Sequence, residues 1–207
     1  RSVRSATGNS LYTPHTGALR YDDSAPRIPA AAITVEDAAW MARLIEAGKE
    51  VKVELSMEAH QLPDAPSFNV VAEIPGDDPV LGNEVVMLGG HLDSWHSATG
   101  ATDNAAGCAV AMEAIRILKA INARPRRTIR VALWGAEEEG LLGSHAYVKK
   151  HFGDRTTMEL TDEHAKLSAY FNLDNGTGRI RGIYCQSNDA VRPIFEAWLR
   201  PFQDMEA

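Results

Sequence analysis

The spacing of apolar positions changes several times along this chain. Residues 1–33, rich in Ser, Pro, Thr, Ala and Gly, have little periodicity and read as loop and extended structure. At Thr34 the run TVED makes a capping-box-like start, with Asp37 where Glu is usual. A short amphipathic helix follows through Ala38, Met41, Leu44 and Ile45, and Gly48 stops it. VKVEL (51–55) alternates as a half-buried strand does. NVVAEIP (69–75) and EVVML (84–88) are the next strands, joined by the turn chemistry of PGDDPVLGN.

From Asp103 the period turns helical. Val110, Ala114, Ile117, Leu118 and Ile121 share one face, and Glu113, Arg116, Lys119 and Asn122 another. After Pro125, TIRVALW (128–134) is a strand apolar on both sides. A helix over 140–150 and a short one near Glu163 follow. SAYFNLDN (168–175) and IRGIYCQ (180–186) read as strands. Asp189 is expected to cap a last helix whose apolar stripe is Ile194, Phe195, Trp198 and Leu199. Helices alternating with strands buried on both faces predict an α/β fold, a sheet covered on each side.

Composition narrows the function. A chain of 207 residues that is 44% hydrophobic can bury a sizeable core. The net charge of −7 is spread along the sequence, and no basic stripe exists to neutralise phosphates, which argues against nucleic acid as a partner. The one basic cluster, ARPRR (123–127), reads as a solvated helix-to-strand turn. Two cysteines, Cys108 and Cys185, make no disulfide framework and read as buried free thiols. No apolar run approaches the roughly 18 residues of a membrane span.

Chemistry collects at strand ends. In open α/β sheets, active groups sit in the crevice beyond the carboxyl ends of the strands. Three predicted strands end in candidates: GGHLD with His91 and Asp93, WGAEEEG with Glu137, Glu138 and Glu139, and NLDNG with Asp174. Asp103 opens the helix after the first. Taken singly, Asp103 is a helix cap and the glutamates answer a helix dipole. Taken together, one histidine and several carboxylates at one sheet end repel unless a cation is bound. Mixed His and carboxylate ligands without cysteine suit zinc, with manganese or cobalt as substitutes, and disfavour calcium.

These motifs, in order, resemble the co-catalytic di-zinc exopeptidases, the group of the bacterial secreted aminopeptidases and carboxypeptidase-Q-like metallopeptidases. The likeness rests on GGHLDSW, GATDNAAG and WGAEEEGLLGS, supported by NVVAEIPG and YFNLDNGTG, and runs from Asn69 to the end of the chain. It implies a three-layer α/β/α sandwich with a mixed, mostly parallel sheet. RIPAAAITVEDAAWMARLIEAGKEVKVEL resembles the closing half of a protease-associated domain. The expected division is therefore 1–57 for that β-rich module and 58–207 for part of a catalytic domain.

The resemblance implies roles. Asp103 would bridge two zinc ions, His91 and Asp174 would complete one of them, and Glu138 would bind the other. Glu137 would be the general base, taking a proton from a metal-bridging water and passing it to the leaving amine. Asp93 would accept the second imidazole proton of His91 and fix its tautomer. A cis peptide is implied at Asp103–Asn104. Glu139 is expected to be exposed or to face the helix dipole. His96 is expected to be a solvent-exposed loop residue, and His145, His151 and His164 to have surface or packing roles.

The family's second zinc takes a final histidine from a loop well downstream, and none follows Asp174 here. The expectation is an excerpt of a longer exopeptidase, with activity belonging to the parent protein rather than to this chain alone. The implied substrates are unblocked peptides or dipeptides, and the implied location is secreted or periplasmic. Two other readings stay open: a single-zinc glutaminyl-cyclase-like acyltransferase, and a non-catalytic receptor-type or vestigial homologue.

Overall fold

The computed structural model describes residues 24–58, 60, 62–95, 98–174 and 178–205. Helix α1 (Val35–Glu46) begins as its sequence predicts. Thr34 Oγ1 accepts the Asp37 N–H at 3.1 Å and donates to the Asp37 carboxylate at 2.7 Å. The elements that follow are β1 (Val70–Ile74), β2 (Val85–His91), α2 (Gly107–Ala120), β3 (Thr128–Trp134) and α3 (Leu142–His151). Next come a hairpin of two-residue strands, β4 (Gly153–Asp154) with β5 (Glu159–Leu160), the strand β6 (Leu167–Asn172), and α4 (Arg192–Leu199). A single turn at His164–Lys166 stands where a short helix is expected near Glu163.

The main sheet runs β1-β3-β2-β6. β2 lies parallel to both β3 and β6, and β1 is antiparallel to β3, so the sheet is mixed and mostly parallel. Alternation along the central strands feeds two cores on opposite faces. On one face Val85, Met87, Ala132 and Trp134 pack with Phe152, Tyr147 and Val148. On the other, Val131 and Leu133 meet Cys108 and Ala111 of α2, with Leu88 and Ile115 beside them. One helix layer on each face makes this the expected three-layer α/β/α arrangement.

Four expectations change. VKVEL (51–55) is not a strand, and neither is IRGIYCQ (180–186). Each keeps a strand-like pattern, but a strand exists through its partner's hydrogen bonds, and neither segment pairs with a described strand. Helix α2 turns Cys108, Ala111 and Ile115 to the sheet, while Val110 and Ile117 stay 52% and 46% exposed. Asp189 does not cap α4. It starts a separate turn, Asp189–Val191, and α4 begins at Arg192 with Pro193 in its first turn.

The ARPRR segment is more than a solvated turn. Arg124 pairs with Asp77 at 2.8 Å, Arg126 with Asp78 at 2.8 Å and Arg127 with Glu84 at 2.6 Å. The turn before β3 is thereby matched, charge for charge, to the turn before β2. Both turns lie at the end of the sheet opposite His91 and Trp134.

The chain forms two units, 1–174 and 175–207. In the second, the α4 stripe is present, with Phe195 and Trp198 in edge-to-face contact at 5.3 Å. Ile194 and Trp198 are exposed. Cys108 is buried and Cys185 is half-buried, both as free thiols, and Cys185 lies outside any strand. Among the described residues no helix is long and apolar enough to cross a membrane.

Candidate metal centre

Strand β2 reaches its carboxyl end through two glycines, and both are needed for close packing. A Cβ at Gly89 would fall against the Ala132 carbonyl of β3. One at Gly90 would stand 2.9 Å from the Asn104 side chain and 3.2 Å from the start of α2. The strand, the loop after it and α2 therefore converge around His91, whose side chain is only 2% exposed.

His91 Nδ1 lies 3.0 Å from the Asp93 backbone carbonyl. A carbonyl only accepts, so Nδ1 carries a hydrogen, and Nε2 is the ring nitrogen that faces the carboxylates. Nε2 is 2.9 Å from Asp103 Oδ1 and 3.1 Å from Asp174 Oδ1, with Glu137 Oε2 at 4.0 Å. Burial opposes protonation of this imidazole, but Asp174, Glu137, Asp103 and the Asp93 carbonyl outweigh it and hold its pKa above the ordinary histidine value.

Asp93 meets His91 through its backbone and the glutamates through its side chain. Its carboxylate is 3.6 Å from His91 Nδ1, and the backbone carbonyl takes that proton instead. The carboxylate accepts the backbone N–H groups of Glu137 at 2.9 Å and Glu138 at 3.0 Å. The reason lies in the chain path after β3. Ala136 adopts a left-handed φ of 54°, turning the next two amides toward Asp93.

Asp103 and Asp174 reach the site from two different connections. The Asp103–Asn104 peptide is cis, as the resemblance implied, and Asp103 leaves helical geometry at φ −115° and ψ 93°. Asp103 is therefore not a simple helix cap. Asn104, 2% exposed, donates from Nδ2 to the Leu173 carbonyl at 2.9 Å and accepts the Gly107 N–H at 3.1 Å. The Leu173 N–H in turn bonds the Gly89 carbonyl at 3.1 Å, which fixes the backbone just before Asp174.

Two overlapping sets of ligand-type atoms result: His91 with Asp103 and Asp174, and His91 with Glu137 and Glu138. Within each set the atoms lie within 4.8 Å of one another. Burial raises the pKa of both glutamates. Nearby carboxylates add to this, Asp174 chiefly for Glu137 and Asp103 chiefly for Glu138, while His91 opposes it. Anions gathered so closely call for a cation. A donor set of one imidazole nitrogen and several carboxylate oxygens fits zinc.

Five residues assigned from the sequence thus meet at one sheet end, and Asp93 joins them through the backbone. Glu139 is exposed, as are His145 and His164. His151 stacks on Tyr147 at 4.3 Å and sits 3.2 Å from Glu163, a packing role. His96 lies outside the described residues. The sequence reading gave no role to Asn104, or to Cys108 beyond burial. Cys108 Sγ donates to the His91 carbonyl at 3.0 Å. Only the place of Asn104 directly after Asp103 hinted at its use.

The profile of Peptidase family M28 matches residues 69–206, a stretch holding every residue of the site. The chain belongs to Peptidase family M28. This M28 chain is 37% identical over 203 residues to carboxypeptidase Q of Mus musculus, covering 98% of its own length and 41% of that protein. With carboxypeptidase Q of Bos taurus it shares 40% identity over 194 residues, 94% of this chain and 39% of the relative. The solved structure of a peptidase M28 precursor from Shewanella amazonensis SB2B superposes with a TM-score of 0.76 at 34% identity. That match covers 91% of this chain and 41% of the other. The M28 chain therefore spans well under half the length of these relatives.

Proposed function

We propose that this chain carries the working groups of a zinc-dependent exopeptidase. The observation that carries the reading is His91 Nε2, shared by two sets of carboxylates at one sheet end. His91, Asp103 and Asp174 would hold one zinc ion, and Glu138 with Asp103 a second. Zinc supplies Lewis-acid polarisation of a carbonyl and acidifies water.

The remaining chemistry belongs to the protein. Glu137, its pKa raised chiefly by burial, takes the proton from the attacking water and returns it to the leaving amine. Asp93 holds the peptide backbone of both glutamates, so base and ligand keep one orientation. The Asp93 carbonyl keeps a proton on Nδ1 of His91, leaving Nε2 as the nitrogen that would ligate the metal. Substrates would be unblocked peptides or dipeptides, with a secreted or periplasmic setting, both drawn from the family. Residues 1–57 would close a protease-associated-like module, a reading supported by the capped helix α1 alone.

Zinc titration followed by thermal unfolding tests the site. A ligand that binds only the folded state raises Tm. The chain should gain stability with zinc, and His91→Ala should abolish the gain. No gain in the unaltered chain would sink the metal reading. In the full-length protein, Glu137→Gln should keep zinc and lose about 10²–10⁴-fold in kcat on an unblocked dipeptide.

A further inference from the structure

The stretch from Gly135 to Gly143 leaves β3, presents Glu137 and Glu138, and returns into α3. Its two ends are closed by one backbone bond, from the Gly143 N–H to the Gly135 carbonyl at 3.0 Å. The side chain of Asn69, the residue before β1, spans the same two ends. Its Oδ1 accepts the Gly135 N–H at 3.1 Å, and its Nδ2 donates to the Gly143 carbonyl at 2.9 Å. Asn69 is thus bonded to both glycines that bracket the glutamates.

The surroundings leave little slack. A Cβ at Gly143 would strike Asn69 Oδ1 and the Gly135 carbonyl, and one at Gly135 would strike the Phe68 carbonyl. The strand register supports the placement, because Val70, next to Asn69, pairs with Leu133, two residues before Gly135. An amide is the side-chain group that can accept at one end and donate at the other in this span. Inside the loop, the Asp93 carboxylate accepts the N–H groups of both glutamates. The loop is therefore held from within by Asp93 and from its base by Asn69.

We infer that Asn69 is a positioning residue for Glu137 and Glu138, acting through the base of their loop and touching neither zinc nor substrate. The inference rests on the proposed roles of those glutamates. Its contribution would be to keep the Glu138 carboxylate and the Glu137 base at fixed places relative to His91.

Amide hydrogen exchange of the chain tests this without relying on metal or turnover. Asn69→Ala removes both bonds, and Asn69→Asp keeps the acceptor while setting a carboxylate against the Gly143 carbonyl. If Ala is too disruptive to fold, Asp alone decides the question. In both variants the Glu137 and Glu138 amides should exchange about fivefold faster or more, with the β2 and β3 amides unchanged. Zinc affinity should fall by about tenfold or more. Unchanged glutamate amides would overturn the inference, as would acceleration spread evenly over the whole sheet, which marks a merely structural residue. Failure of the unaltered chain to take zinc would instead remove the proposed function, leaving the exchange result to judge Asn69 by itself.

Discussion

Asn104 and Leu173 are joined by a 2.9 Å hydrogen bond from side-chain amide to backbone carbonyl. Each is the covalent neighbour of a carboxylate that faces His91, Asp103 in one case and Asp174 in the other. One part-buried bond therefore ties together two chain segments 69 residues apart. Asn104→Ala would leave the Leu173 carbonyl and the Gly107 N–H unpaired. The expected cost is about 2–4 kcal/mol, read by urea denaturation. A loss below about 0.5 kcal/mol would mean that water replaces the amide at both ends.

Gly107 lies against the same Leu173 carbonyl, where a Cβ would also meet the Asn104 side chain. Alanine at a helical position gains roughly 1 kcal/mol of propensity over glycine. Overpacking against backbone costs about 1–3 kcal/mol or more, so the clash should win. Gly107→Ala is expected to lower stability in the same urea assay. A rise in stability would show that α2 can shift away from β6.

The carboxyl of Asp78 is lowered to about 2 by the N–H groups of Leu81 and Val80 and by Arg126. A folded-state pKa below the unfolded one adds stability that is complete above the unfolded value and lost as pH falls through the folded one. For Asp78 the window runs from the ordinary aspartate value of 3.8 down to about 2. Thermal unfolding across that range should show Asp78→Asn with a flatter acid limb than the unaltered chain. Parallel limbs would dismiss the carboxylate as a contributor.

Tyr170 accepts the Trp134 indole N–H at 2.6 Å and donates to Asn172 Oδ1 at 2.7 Å. Trp134 is 6% exposed, so Tyr170→Phe strands a buried donor. The expected loss is about 1–3 kcal/mol by chemical denaturation. Equal stability of the two chains would place the indole N–H on some other acceptor.

Much of this architecture was legible in the residues. TIRVALW is apolar on both sides, and its predicted bounds match β3 residue for residue. The ligand-type side chains follow such strands directly, so their meeting at one sheet end could be foreseen. VKVEL and IRGIYCQ mislead because alternation reports a pleated surface and says nothing of a partner. Helix α2 misleads for another reason. It is apolar around much of its circumference, and the sheet selects the small side chains of Cys108 and Ala111, which allow close approach, over the larger Val110 and Ile117. Asn69 and Asn104 carry no periodic signal at all. A polar residue in a connection reads as turn chemistry until its two partners, distant in sequence, are seen.

The pairing of His91 with Trp134, and of Gly89 with Asn172, has a consequence for how this site can vary. Adjacent strands stand about 4.8 Å apart, a spacing set by peptide hydrogen bonds and indifferent to side chains. The strand ends from which His91 and the carboxylate-bearing connections start are thus spaced by a backbone constant. Loop positions other than those of Asp103, Glu137, Glu138 and Asp174 can be rewritten to suit new substrates while that gauge stays put. A slip of one residue between β2 and either neighbour, about 3.3 Å along the strand, would dismantle at least one of the two ligand sets in a single step.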